Sequence, residues 1–147
     1  EYEATIYLGK TSTTGDVEGE ITETSKKVPD LKSVEAACKK LTGRIEQTVP
    51  IYSAVKINGE RAYKIARKGQ TVTMPTRTVT IYSLDILDYT YPELKIRTTV
   101  SSGTYIRTLG EDLGKILGTG AYLTSLRRTK IADYSVDAAL KLDDYMV

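Results

Sequence analysis

The sequence predicts a single α+β domain, and three observations lead to this prediction. The chain has 147 residues, of which 40% are hydrophobic and 27% are charged, a composition typical of one globular domain with its own core. Apolar residues alternate with polar ones in several segments, as they do in strands, and recur with helical spacing in a few others. Pairs of neighbouring strands separated by a few helices indicate an α+β arrangement.

The first third of the chain predicts a strand, a loop, a returning strand and a helix. Residues Tyr2 to Gly9 alternate as a half-buried strand does. A polar, threonine-rich loop follows as far as Gly19, and residues 19–24 return as a second strand. Ser33 is expected to cap a helix that continues to about Leu41, and Gly43 is expected to end it.

The middle third predicts a hairpin, a short helix and two long paired strands. Residues 53–57 are strand-like, and Asn58-Gly59 is a strong turn signal. A short helix is expected from Arg61 to Lys68. Strands at 79–89 and 94–100 are expected to pair around Tyr91-Pro92.

The last third contains the clearest helical pattern. Residues Thr104 to Leu117 predict an amphipathic helix, and Thr104 is its candidate N-cap. Its apolar face is formed by Ile106, Leu109, Leu113 and Ile116. Residues 123–134 are expected to pass from a turn of helix into a final strand, and residues 136–140 to form a short helix.

The charge distribution favours a phosphate-rich partner. The net charge is only +2, yet residues 50–78 hold six Lys/Arg against the single acidic residue Glu60. Tyr52 and Tyr63 lie among these basic residues, and such a mixture is the footprint of nucleic-acid binding. A solvated, charged helix is the alternative explanation.

The composition excludes several kinds of site. The chain has no histidine and one cysteine, which rules out a Ser-His or Cys-His nucleophile pair and leaves a zinc site almost without ligands. We therefore expect no metal. The lone Cys38 fits a reducing compartment, and no apolar run approaches the ~18 residues of a membrane span, so we expect a cytoplasmic protein without a membrane partner.

The most distinctive segment is Ser102-Gly103-Thr104-Tyr105-Ile106-Arg107-Thr108-Leu109, followed by Gly118-Thr119-Gly120-Ala121-Tyr122-Leu123. It places a small-residue turn, a tyrosine and a single arginine at a predicted strand-to-helix junction. A guanidinium group presents a fixed fork of donors that suits a carboxylate or a phosphate. A helix cap with an arginine on a solvated face is the alternative.

Four blocks of the sequence resemble motifs of the TruB family, the tRNA pseudouridine-55 synthases, in the family's order. Residues 102–109 resemble S-K-G-T-Y-I-R-x-L, and residues 126–129 resemble L-R-R-[TL]. Leu8-Gly9 with residues 12–19 resembles L-G-x-x-T-x-T-x-D-x-x-G. Residues 50–59 with Tyr63, Ala66 and Arg67 resemble P-x-[FY]-S-A-[VL]-K-x-x-G-x-x-x-Y-x-x-A-R. The likeness extends from Glu1 to about Ala139. Ser102 and Ser12 stand where the family often has Lys and Thr.

The resemblance implies a fold, a reaction and a partner. The fold is that of the pseudouridine synthases, a mixed, mostly antiparallel sheet flanked by helices, in which residues of about 50–78 form a thumb-like insertion that grips RNA. The reaction is the isomerisation of a uridine in the T-arm loop of tRNA. No cofactor is needed, because the base is both the leaving group and the returning nucleophile. The expected RNA partner is the T-arm stem-loop of tRNA.

The family's catalytic aspartate lies in a G-H-x-G-x-L-D-P-x-A segment. This sequence contains no Asp-Pro dipeptide and no histidine. We therefore expect residues 1–147 to be a partial catalytic domain that lacks the nucleophile and is inactive alone. An N-terminal segment, in cis or in trans, would supply the aspartate, and the family's C-terminal PUA-type extension is expected to be absent as well.

The resemblance also implies roles for individual residues. Arg107 would pair with the missing aspartate, and Tyr2 would stack on the flipped uracil and accept a proton in the last step. Tyr105 would line the pocket, Leu126 would close it with an apolar wall, and Asp16 would help to displace the target base. The plain alternatives are an edge-strand aromatic for Tyr2, an Asx turn for Asp16 and a core residue for Leu126.

The resemblance implies that four basic residues support the site or bind the RNA. Lys56 matches a thumb-region lysine that supports the site, although a surface lysine on a hairpin is the alternative. Lys64, Arg67 and Lys68 would contact phosphates, which adds affinity but little sequence information. Two other functions stay open, namely a non-catalytic tRNA-binding module or folding aid, and a structural domain with inherited motifs.

Overall fold

The computed structural model describes residues 1–49, 56–57, 60–61, 74–131 and 134–135, with side chains for residues 1–49 and 74–129. In chain order, the elements are β1 (Tyr2–Leu8), β2 (Lys10–Ser12), β3 (Ile21–Glu23), α1 (Leu31–Lys40), β4 (Gly43–Thr48), β5 (Lys56–Ile57), β6 (Glu60–Arg61), β7 (Thr76–Thr90), β8 (Glu93–Val100), α2 (Ile106–Leu117), β9 (Ala121–Arg128), β10 (Lys130–Ile131) and β11 (Tyr134–Ser135).

The centre of the fold is a five-stranded sheet in the order β4-β7-β8-β1-β9. All four of its pairings are antiparallel. Among the described residues, three two-stranded ladders accompany it, formed by β2 with β3, β5 with β6 and β10 with β11. The α+β prediction is confirmed, and so is the pairing of the two long strands around Tyr91-Pro92, whose peptide bond is cis.

One face of the sheet carries the core. Ala4, Ile6 and Leu8 of β1 are buried on this face, whereas the residues between them are half-exposed, as the alternation predicts. Helix α1 packs against β7 and α2, and α2 packs against β9 and β1. The core therefore lies between the sheet and helices α1 and α2.

Two glycines allow α2 to lie directly on the sheet. A Cβ atom added at Gly114 would lie 2.4 Å from the Ala121 nitrogen, and one at Gly110 would lie 3.4 Å from Cγ1 of Ile6. Ala121 pairs with Leu8 across β9 and β1, so α2 runs in the same direction as β1. The N-terminus of α2 therefore lies toward the Tyr2 end of the sheet.

The predicted start of α1 was wrong. Its end, expected near Leu41, is confirmed, although Leu41 and not Gly43 occupies the C-cap position. Helix α1 begins at Leu31, because the carboxylate of Asp30 accepts a hydrogen bond from the Ser33 nitrogen and so caps the helix three residues before Ser33. It ends at Lys40, and Gly43, with φ +104°, begins β4. Strand β4 was not predicted, and β2 lies within the predicted loop, where it pairs with β3.

The predicted N-cap of α2 was also wrong. The Thr104 hydroxyl donates a hydrogen bond to the Ser101 carbonyl, so it serves the preceding turn, and Tyr105 occupies the N-cap position without a side-chain cap. Ile106, Leu109 and Leu113 are buried as predicted.

Two further differences lie near the C-terminal end of α2. Ile116 is 39% exposed, and Leu117 takes its place in the core. The helical turn predicted after residue 123 is absent, because the backbone from Ala121 to Arg128 forms ladder hydrogen bonds with β1. The predicted helix from Arg61 begins instead with a strand residue in β6, and its remainder lies outside the described residues, as does the helix at 136–140.

Within the described ranges, no helix is long and apolar enough to cross a membrane. The same residues contain no cluster of three or more acidic, cysteine or histidine side chains that could hold a metal ion.

Candidate active site

Asp16 lies in a loop that is fixed from both sides. One carboxylate oxygen, Oδ1, accepts hydrogen bonds from the Thr14 hydroxyl at 2.6 Å and from the Glu18 nitrogen at 3.0 Å. The second bond is the Asx turn that the alternative interpretation expected. The Leu123 nitrogen donates to the Gly15 carbonyl at 2.9 Å, which holds the loop against β9.

The other oxygen of Asp16 faces Arg107. Nη1 of Arg107 lies 3.8 Å from Oδ2 of Asp16, and the two side chains are only 17% and 28% exposed. An ion pair this well shielded from solvent is weakened less by dissolved salt than a surface pair. The Asx turn and the ion pair thus use different oxygens of the same carboxylate, and the structural role does not exclude a functional one.

Two side chains from the far edge of the sheet hold the turn in front of α2. Gln47 of β4 is buried, and its amide makes two hydrogen bonds with the backbone of Tyr105, donating to the carbonyl at 3.1 Å and accepting from the nitrogen at 2.9 Å. Arg77 of β7, which is paired with Gln47 in the sheet register, donates to the Gly103 carbonyl at 3.2 Å. These contacts fix the backbone immediately before Arg107.

The Tyr105 ring lies close to two guanidinium groups. The Cζ atoms of Arg77 and Arg107 lie 5.6 and 5.9 Å from its centroid, within the range of a cation–π interaction. Tyr105 is only 8% exposed. Its ring therefore fixes the direction of Arg107, in addition to any contact it makes with a ligand.

Tyr2 and Leu126 lie on the helix-covered face of the sheet, at the end toward which α2 begins. Leu126 pairs with Ala4, and both Tyr2 and Leu126 pack against the edge of the core while keeping part of their surface exposed. Arg128 pairs with Tyr2 across the two strands, and its Nε and Nη2 donate to the Tyr2 hydroxyl at 3.3 and 3.1 Å.

Glu111, an acidic side chain of α2, borders the site. Burial raises the pKa of Glu111; Lys115 opposes this rise, Asp112 adds to it, Arg107 opposes it, and Asp16 adds to it. Burial also raises the pKa of Asp112, again against the effect of Lys115. Glu111 touches the Asp16 loop, because a Cβ atom added at Gly15 would lie 2.8 Å from its Oε1.

The structure thus brings Asp16, Tyr105 and Arg107 into one cluster and places Tyr2 and Leu126 at the same end of the sheet. Lys56 lies in β5, but only its backbone is described. The three predicted phosphate contacts, Lys64, Arg67 and Lys68, lie outside the described residues.

Sequence reasoning missed four residues of this region: Gln47, Arg77, Glu111 and Arg128. The signal for Gln47 was the alternation Ile45-x-Gln47-x-Val49, which puts an amide on an apolar face. The signal for Glu111 was its position four residues after Arg107 on a predicted helix. Nothing in the local pattern indicated that Arg77 or Arg128 would contact tyrosines.

Comparison with protein families decides the membership. The model of the TruB family pseudouridylate synthase N-terminal domain matches residues 1–106. The chain belongs to the TruB family. The model of the tRNA pseudouridylate synthase B C-terminal domain matches residues 107–146. The boundary falls within the first turn of α2, yet β9 pairs with β1, so the two matched regions share one sheet.

Curated relatives agree with this membership. The chain is 47% identical over 142 residues to tRNA pseudouridine synthase B of Burkholderia lata, and 46% identical over 144 residues to that of Cupriavidus metallidurans. Each match covers 97% of this chain but only 44% and 46% of the relative. The chain thus spans about half the length of the relatives it matches.

Solved structures show the same fold. A chain from a Cbf5–Nop10–Gar1 complex matches 92% of this chain with a TM-score of 0.64 and 27% identity, over 31% of its own length. A chain from an H/ACA RNP bound to a substrate RNA containing 2′-deoxyuridine matches the same share with a TM-score of 0.60 and 23% identity, over 29% of its length. The pseudouridine synthase fold that the TruB resemblance implied is confirmed.

Proposed function

We propose that this chain is the RNA-binding and pocket-forming part of a tRNA pseudouridine synthase that isomerises a uridine in the T-arm loop. Its nucleophilic aspartate would come from a segment outside these 147 residues, in cis or in trans. The family membership supports the reaction class. The absence of an Asp-Pro dipeptide from the sequence supports the external aspartate and the inactivity of these residues alone.

The observation that carries this proposal is the setting of Arg107. Its guanidinium group lies beside Asp16 and close to the Tyr105 ring, and only 17% of the side chain is exposed. A guanidinium group has five N–H donors on more than one edge, so a single arginine can serve two carboxylates. An arginine held in this way would keep an incoming aspartate ionised and fix its direction.

The chemistry assigns a task to each pocket residue. The C1′–N1 bond of the target uridine breaks as the aspartate carboxylate bonds to C1′, and the bonding electrons leave with N1. The detached uracil then turns, and C5 bonds to C1′ as the carboxylate leaves. C5 then loses its hydrogen, and N1 gains one. Tyr2 would stack on the flipped base and accept the C5 proton, Tyr105 and Leu126 would line its cavity, and Asp16 would help to displace it. Holding the free uracil in place prevents its escape.

The basic segment would supply affinity. Lys56, Lys64, Arg67 and Lys68 fall within the predicted thumb at about 50–78, where the positive charge of the chain is concentrated. Phosphate contacts of this kind make binding salt-dependent, with log K falling by about 0.7 to 0.9 per log unit of salt for each phosphate neutralised.

The test measures tritium release from a T-arm stem-loop RNA that carries [5-³H]uridine, since C5 must lose its hydrogen. We expect no release by the 147 residues alone and turnover when the aspartate segment is added. Arg107→Lys should lower turnover about a hundredfold or more, because lysine cannot form the two-point contact. The matched control is Arg127→Lys, the same substitution at an exposed arginine of β9, and it should retain turnover.

A folded, reconstituted protein that releases no tritium would contradict the proposed reaction. If that protein still bound the stem-loop with a steep salt dependence, the non-catalytic tRNA-binding function would replace it.

A further inference from the structure

We propose that Arg128 is a positioning residue that holds the Tyr2 ring in place to receive the target base. This inference rests on the proposed function for the role of Tyr2, whereas the contact between the two side chains stands independently of that role. It concerns an arginine to which the sequence assigned no task beyond its place in the L-R-R-T block.

The register of the sheet brings the two residues together. Tyr2 and Arg128 are directly opposite in the antiparallel β1–β9 pair, so their side chains emerge on the same face. Hydrogen bonds also join Glu1 and Thr129, the residues next to this pair at the end of the two strands. The Thr129 nitrogen donates to the Glu1 carbonyl at 2.8 Å, and the Thr129 hydroxyl donates to the Glu1 carboxylate at 2.7 Å. These two hydrogen bonds therefore keep β1 and β9 paired beyond Tyr2 and Arg128.

The contact has two points on a single oxygen. Nε and Nη2 of Arg128 donate to the Tyr2 hydroxyl at 3.3 and 3.1 Å, and the guanidinium carbon lies 5.3 Å from the ring centroid. A tyrosine ring turns about only two side-chain bonds, so an anchor at its far end restrains both.

The neighbouring arginine provides a matched control. Arg127 is adjacent in β9, so its side chain emerges on the opposite face, where its register partner is Glu3. Glu3 in turn forms a 2.8 Å ion pair with Arg97 of β8. Loss of Arg127 therefore removes the same charge from the same strand without touching Tyr2.

The contact itself can be tested on the 147-residue chain without any activity. With ¹³Cζ-labelled tyrosine, the eleven tyrosines give eleven resonances, and Tyr2→Phe removes the one that belongs to Tyr2. We expect Arg128→Ala to shift that resonance and Arg127→Ala to leave it in place. A Tyr2 resonance that does not move in Arg128→Ala would overturn the inference.

The consequence is tested by turnover in the protein that includes the aspartate segment. Arg128→Ala should lower kcat about tenfold to a hundredfold with little change in KM. A misdirected Tyr2 ring would orient the target base poorly but would leave the affinity for the RNA unchanged. Arg128→Lys should not restore kcat, since an ammonium group lacks the two-point fork. When Tyr2→Phe is already present, adding Arg128→Ala should lower kcat by less than about a further twofold.

The outcomes separate the two proposals. A raised KM with unchanged kcat, or a loss that is additive with Tyr2→Phe, would mean that Arg128 acts on the RNA directly and would overturn the positioning role. An unsubstituted protein without turnover would contradict the proposed function, and the tyrosine resonances would still decide whether Arg128 holds Tyr2.

Discussion

Burial disfavours the charged form of Glu111 in this site. This residue lies one helical turn after Arg107, against the loop of Asp16, and burial raises its pKa above the ordinary value of 4.5. Arg107 and Lys115 reduce that rise but do not cancel it. The folded protein therefore binds the Glu111 proton more tightly than the unfolded chain does.

This pKa shift predicts a pH-dependent effect of Glu111→Gln. A carboxyl group whose pKa is raised on folding stabilises the fold while it is protonated, and stability is lost as the pH rises from about the unfolded pKa through the folded one. The free energy of unfolding of Glu111→Gln should therefore rise relative to the unsubstituted protein between pH 4 and pH 7, as measured by urea unfolding at each pH. Glu46→Gln, at an exposed position on β4, is the control. A difference in the free energy of unfolding between Glu111→Gln and the unsubstituted protein that stays constant with pH would contradict the prediction.

At the residue scale, the structure adds partners that the sequence did not indicate. Arg107 was expected to pair with an aspartate outside the chain, and the structure adds an ion pair with Asp16. Tyr105 was expected to line a pocket, and it also contacts two arginines. These partners are distant in sequence, so no local pattern could reveal them.

At the element scale, the link between β4 and the start of α2 is the feature that positions the site. Gln47 joins them through two hydrogen bonds to the backbone of Tyr105. Strand β4 was missed from the sequence because its alternation includes this amide where an apolar residue is expected. The same amide explains how α2 begins at Ile106 without a side-chain cap.

Gln47→Leu should therefore destabilise the fold and weaken the site together. Leucine keeps most of the volume but leaves the nitrogen and the carbonyl of Tyr105 buried without partners, at a cost of about 2 to 4 kcal/mol in the free energy of unfolding. Urea unfolding followed by circular dichroism measures this loss. Thr48→Val, at the exposed neighbouring position, should change stability by less than about 0.5 kcal/mol. Equal effects of the two substitutions would show that the link is unimportant.

At the scale of the whole molecule, the single cysteine reports the integrity of the core. Cys38 lies in α1, is 4% exposed, and belongs to the core cluster between the helices and the sheet. Burial raises the pKa of its thiol to about 11, with smaller contributions from Asp85 and Glu35. Both its position and its protonation make the thiol unreactive in the folded protein.

Alkylation of Cys38 should therefore follow unfolding of the whole domain. At pH 8 only about one thiol in a thousand would be ionised in the fold, so iodoacetamide should react at least about a hundredfold more slowly than with the urea-unfolded chain. Mass spectrometry across a urea series measures the labelling rate, and a short unfolded cysteine peptide serves as the reference. Rapid labelling in the absence of urea would show that α1 detaches from the sheet independently.

The sequence by itself determined the α+β class, the two long paired strands, three of the four predicted apolar-face residues of α2 and the family whose motifs it carries. These properties depend on alternation, helical spacing and turn residues, which act over a few positions of the chain. Only the tertiary structure decided that Asp16 lies beside Arg107, that Gln47 holds Tyr105 and that Arg128 holds Tyr2. Those pairs depend on strand order and register, which are set by the burial of one face of the whole sheet. The free energy of that burial is a property of all the strands and helices together and of no single segment.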